Sequence, residues 1–92
     1  KPKEENVKLK VNAGQANYIR DLKLHTSQKE VERNDEYSIF TYFLRPTFDF
    51  MQELLWQGED VEVLEPLWFR NEIAKKIERI WRIYNNKDKI GI

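Results

Sequence analysis

The stretch from Val61 to Ile73 constrains the chain most. Val61 and Val63 alternate with Glu62, the period of a strand with one buried face. Pro66 follows, and proline suits the first position of a helix, where its missing N–H leaves no bond unmade. Phe69, Ile73, Ile77, Ile80, Trp81 and Tyr84 then recur at helical spacing. That sets them on one stripe of a helix from about residue 66 to 85, ended by Asn85-Asn86. Lys75, Lys76, Glu78, Arg79 and Arg82 fall off the stripe and are expected in water. Glu72 and Lys76 stand four apart, a pairing that adds only about 0.2–0.5 kcal/mol. A strand, a proline turn and a long amphipathic helix in succession require a mixed α+β fold.

The rest of the chain supplies the other elements. Val7, Leu9 and Val11 alternate with Lys8, Lys10 and Asn12, a half-buried strand. Asn12 is placed to cap a helix over about 13 to 22, with Ala16, Ile19 and Leu22 inward. Leu24-His25-Thr26 is a connector, and the polar run from Ser27 to Arg33 reads as an edge strand. Asn34-Asp35 signals a hairpin turn into a strand from about Tyr37 to Leu44. Pro46 ends that strand. Thr47 caps the next helix, Asp49 sits favourably in its first turn, and Gly58 is placed to stop it. Phe50, Met51, Leu54 and Leu55 give this helix its apolar side.

The order is β-α-β-β-α-β with an additional C-terminal helix, a ferredoxin-like split βαβ arrangement. It predicts the strand order 4-1-3-2, with both crossover helices on one face of the sheet. The 37–44 strand is apolar on both sides. Ile39 and Phe43 point one way; Phe40, Tyr42 and Leu44 point the other. The second row is expected on the open face, where three such residues call for a cover. That cover is the last helix, a second copy of the chain, or a neighbouring domain.

Composition narrows the function classes. Sixteen basic residues balance sixteen acidic ones, which argues against a strongly basic nucleic-acid binder. The chain has no cysteine, so disulfides and thiolate metal sites are excluded. One histidine with scattered carboxylates makes a poor metal set, and no cofactor is expected. No apolar run approaches the roughly 18 residues of a membrane span, and no signal peptide is present, so a cytoplasmic setting is expected. The charged lead over residues 1 to 6 reads as a linker from an upstream domain. Residues 7 to 85 form the folded unit, and 86 to 92 a polar, frayed tail.

Two groups of residues carry a family resemblance. One is Gly58-Glu59-Asp60-Val61-Glu62-Val63-Leu64-Glu65-Pro66, followed by Leu67-Trp68-Phe69-Arg70-Asn71-Glu72-Ile73 and closing on Tyr84. The other is Leu24-His25-Thr26-Ser27-Gln28, led in by Tyr18-Ile19. In order and spacing the chain resembles the C-terminal extension (WCX) of WYL-domain bacterial transcriptional regulators, over roughly residues 7 to 85. The resemblance implies a parent protein with a winged helix-turn-helix and a WYL domain upstream. It also implies a ferredoxin-like fold for the extension, a homodimer, and an effector that is a nucleic acid or a small molecule.

The candidate residues follow. His25, Ser27 and Gln28 either hydrogen-bond the connector to its neighbours or face the effector or the adjoining domain. Arg45, at a strand end before proline, is the arginine best placed to meet an anion. Phe40, Tyr42 and Leu44, with Trp68 in the first turn of the last helix, are the interface candidates. Trp68 alternatively seals that helix start against the sheet.

An alternative reading is a stand-alone module of RNA-recognition layout, with Phe40 and Tyr42 stacking bases. A third is an amino-acid-sensing domain, which usually needs a glycine-rich loop where Asn12-Ala13-Gly14 offers one glycine. Catalysis is not expected. Ser27 and His25, two residues apart on a strand-like segment, are not expected to adopt a nucleophile–base geometry.

Overall fold

A computed structural model describes residues 3–86. Its elements are β1 (Glu5–Asn12), α1 (Ala13–Asp21), β2 (Lys29–Arg33), β3 (Tyr37–Leu44), α2 (Phe48–Gln57), a 3-10 turn (Gly58–Asp60), β4 (Val61–Glu65) and α3 (Leu67–Tyr84). The fold is α+β: one four-stranded antiparallel sheet and three helices. The strand order is β2-β3-β1-β4, which from the other edge reads 4-1-3-2. Among the described residues no helix is long and apolar enough to cross a membrane.

Local chemistry sets the helix ends. The Asn12 side chain accepts from the Gln15 N–H at 2.9 Å and so caps α1. The Thr47 hydroxyl accepts from the Phe50 N–H at 3.2 Å and caps α2. Gly58 ends α2 at φ +66°, a backbone conformation that side-chain-bearing residues avoid. At α3 the Pro66 carbonyl accepts from Phe69 and Arg70, both at 3.1 Å, so Pro66 flanks the helix and Leu67 opens it.

The core lies on one side of the sheet. Val7, Leu9 and Val11 of β1 and Val63 of β4 pack with Ala16 and Ile19 of α1, Leu54 of α2 and Phe69 of α3. Phe50 joins them, stacked on Phe69 at 5.9 Å and edge-on to Tyr42 at 6.2 Å. The β4 edge is occupied by Arg70, whose guanidinium donates to the Val63 carbonyl and to Glu62, each at 2.7 Å. An edge tied up in this way is a poorer template for a further strand.

Several expectations are corrected. Phe40, Tyr42 and Leu44 are not on the open face but in the core, 1%, 2% and 5% exposed. The register explains it: Tyr42 lies opposite Val7 and Phe40 opposite Leu9, and residues directly opposite share a face. The open face carries Asn6, Lys8 and Lys10 opposite Phe43, Thr41 and Ile39. Buried rings cannot offer their faces to bases, so Phe40 and Tyr42 are no stacking platform. Leu22 leaves the helix at its C-cap and is exposed rather than inward. β2 begins at Lys29, two residues after the expected start, and a bulge between Glu30 and Glu32 leaves Val31 exposed. β1 begins at Glu5, inside the expected linker, because Glu5 still pairs with Leu44. The tail over 87–92 lies outside the described residues.

Candidate functional site

The connector between α1 and β2 is organised by Gln28. Its Oε1 accepts from the Leu24 N–H at 3.1 Å and from the Tyr42 hydroxyl at 2.7 Å. Its Nε2 donates to the Ile19 carbonyl at 3.0 Å. One side chain therefore ties the end of α1, the connector and β3 together. Ser27 does the same one position earlier, its Oγ accepting from the Phe43 N–H at 2.8 Å. Ser27 and Gln28 thus hold the backbone, the structural option of the two open to them.

His25 differs. Its Nδ1 accepts from the Ser27 N–H at 3.1 Å and lies 2.8 Å from Ser27 Oγ. The strand-like segment expected here is instead a turn, which brings the ring back over Ser27. With Nδ1 an acceptor, the neutral ring carries its proton on Nε2. Among the described residues no carboxylate hydrogen-bonds that nitrogen, and Ser27 Oγ is already committed to the sheet.

His25 and Arg45 line one cleft of about 940 Å³, between the connector and the start of α2. Leu24, Leu44 and Phe50 give the cleft its apolar surface. Lys23 adds a second cation, while Asp49 and Glu53 add carboxylates. Arg45 is exposed and makes no ion pair or hydrogen bond with the described residues. The lining therefore carries both signs of charge around an apolar patch. That chemistry suits a ligand or protein surface with both charged and apolar groups better than a bare anion. Among the described residues no group of three or more His, Asp or Glu side chains could hold a metal ion.

Trp68 seals the start of α3. Its Nε1 donates to both carboxylate oxygens of Glu5, at 3.0 and 3.1 Å, and its ring meets Phe69 edge-on at 5.6 Å. The feature the sequence pattern left unassigned is the far half of α3. Phe69 is buried and Ile73 packs on the core, but Ile77 is 51% exposed, Trp81 61% and Tyr84 79%. Lys76 does not pair with Glu72; it lies over the Phe48 ring at 5.8 Å. Helical periodicity marks a stripe as apolar but does not say what covers it.

A second network was not visible in the sequence. Arg20 meets Glu30 with two parallel bonds, 2.7 and 2.6 Å, and the Ser38 hydroxyl donates to the same carboxylate at 2.6 Å. The Arg20 guanidinium, with Ser38, holds the Glu30 carboxyl down at about 2. Burial pushes the Tyr42 hydroxyl up. No sequence spacing flags these groups: the β2–β3 pairing sets Glu30 near Ser38, and Arg20 reaches the same carboxylate from α1.

Residues 3–81 match the model of the WCX domain family. No curated protein matches the chain.

Proposed function

Because this chain belongs to the WCX domain family, we propose that it is the C-terminal module of a WYL-type winged helix-turn-helix transcriptional regulator. In this reading it is non-enzymatic and cytoplasmic. It helps to assemble the regulator's homodimer and takes part in sensing an effector, a nucleic acid or a small molecule. Its intramolecular partners are the WYL and winged-helix domains. The 4-1-3-2 strand order supports a ferredoxin-like assignment for the module.

The family match over residues 3–81 carries the proposal. Two features support its two halves. The bare apolar row of α3 supports assembly, since exposed patches of this kind mark interaction surfaces. The cleft with unpaired Arg45 and the outward His25 nitrogen supports a contact with an effector or with the adjoining domain.

The test is deletion of this domain from the whole regulator. Dimer formation or effector response is lost, while the winged helix retains weak DNA contact. An intact dimer with a normal response after deletion overturns the proposal. Arg45→Glu in the whole regulator separates the two halves, impairing response while leaving the dimer.

A further inference from the structure

The stripe of α3 does not simply face water. Ile73, Ile77 and Ile80 line a groove of about 580 Å³ whose other wall is Leu54 and Leu55 of α2 and Val61 of β4. A volume of that size lies within the roughly 300–1,000 Å³ range of sites that enclose a partner group. The groove is apolar, with Glu59 and the Glu62–Arg70 ion pair standing at it.

We propose that the occupant of this groove is α3 of a second copy, packed antiparallel along the first. The inference rests on the assembly half of the reading above and names its surface. Three observations point to a second copy. First, the seam Ile73, Ile77, Ile80, Tyr84 is spaced four, three, four. That is the alternation of a two-helix seam. It also reads the same in both directions, so an antiparallel copy matches it without any other sequence. Ile77 of one chain then faces Ile80 of the other, and Ile73 faces Tyr84.

Second, Trp81 and Ala74 lie on the same flank of the seam, seven residues apart. Antiparallel pairing sets Trp81 of each copy over Ala74 of the other, large on small, and Ala74 lines the groove. Third, the charges are complementary. Beyond the Glu78–Arg82 pair, the exposed half of α3 carries Lys75, Lys76 and Arg79, while the groove presents Glu59; Glu62 there is already paired with Arg70. The sheet's open face lacks such a row: Lys8 and Lys10 interrupt its apolar residues.

The experiment uses the absence of cysteine in the chain. Mass is measured by light scattering across a concentration series for the unaltered chain, for Ile77→Glu with Ile80→Glu, and for Phe43→Glu on the open face. In parallel, Ile77→Cys and Ile80→Cys proteins are mixed and mildly oxidised, with Phe43→Cys as the control. The expected result is a mass twice 11.2 kDa for the unaltered chain and for Phe43→Glu. The double isoleucine variant is then a folded monomer by circular dichroism, and the mixed cysteine pair cross-links at least about tenfold faster than the control. A dimer that survives Ile77→Glu with Ile80→Glu, or that Phe43→Glu abolishes, overturns this surface and leaves the assembly reading standing. An unaltered chain that stays monomeric to about 100 µM overturns this surface and the assembly reading for the isolated module together.

Discussion

The Tyr42 hydroxyl donates to Gln28 Oε1 at 2.7 Å, joining the centre of the sheet to the connector. The two partners are not equivalent. Tyr42→Phe removes one donor and leaves Gln28 Oε1 its bond from the Leu24 N–H. That loss costs about 0.5–1.5 kcal/mol. Gln28→Ala strands the Tyr42 hydroxyl, the Leu24 N–H and the Ile19 carbonyl at once. With desolvation of about 1–3 kcal/mol per stranded group, partly relieved by water, the variant loses about 2–4 kcal/mol. Urea unfolding of both variants checks the ranking, and equal losses would remove Gln28 from the centre of the network.

Glu30 makes part of the stability depend on acid. Its carboxyl is held at about 2 in the folded chain against an ordinary 4.5, chiefly by Arg20 and then by Ser38. The unfolded chain therefore binds the proton first as pH falls. The stabilisation is whole above about pH 4.5 and is lost progressively between there and pH 2. The pair is partly exposed, so screening reduces its worth to about 1–2 kcal/mol. Glu30→Gln is expected to lower stability by that amount at pH 7 and to flatten the profile between pH 5 and about 2. A variant whose acid profile overlays that of the unaltered chain would show that other carboxylates carry the effect.

The elements were legible in the sequence because each rests on local chemistry. Asn12, Thr47 and Gly58 mark helix ends by side-chain capping and by the absence of a Cβ, and each does so in the structure. The faces of β3 were not legible. Ile39 and Phe43 on one side, and Phe40, Tyr42 and Leu44 on the other, are equally apolar, so alternation alone cannot orient the strand. The β1–β3 register decides it, and Ser38, in the core row opposite Val11, weakens the pattern where it was most needed. The site was legible in part. His25 and Arg45 were singled out separately and share a cleft, whereas Glu30 and Arg20, ten residues apart on different elements, meet only through packing.

Phe50 and Phe69 link α2 to the start of α3 through a stack with centroids 5.9 Å apart. Phe69 is fully buried, so Phe69→Ala is expected to cost about 3–5 kcal/mol, the usual range for emptying a buried ring site. Phe50 is only partly buried, so Phe50→Ala costs less. The double variant is expected to lose about 0.5–1.5 kcal/mol less than the two single losses added together, the coupling of the ring pair. Thermal or urea unfolding of the four proteins closes this cycle. A coupling near zero means that the rings act through burial alone.

Gly58 separates backbone strain from packing. It holds φ at +66°, yet a Cβ added there would meet no atom within 4 Å. Any loss in Gly58→Ala therefore comes from the backbone conformation and not from a clash. The expected cost is about 1–3 kcal/mol, since this region of φ and ψ is sparsely occupied by residues with a Cβ. Side-chain size should then matter little, so Gly58→Ser and Gly58→Leu lose nearly the same amount as Gly58→Ala. A loss that grows steeply from alanine to leucine would mean that this corner is covered in solution, as by a second copy seated in the groove that Gly58 helps to line.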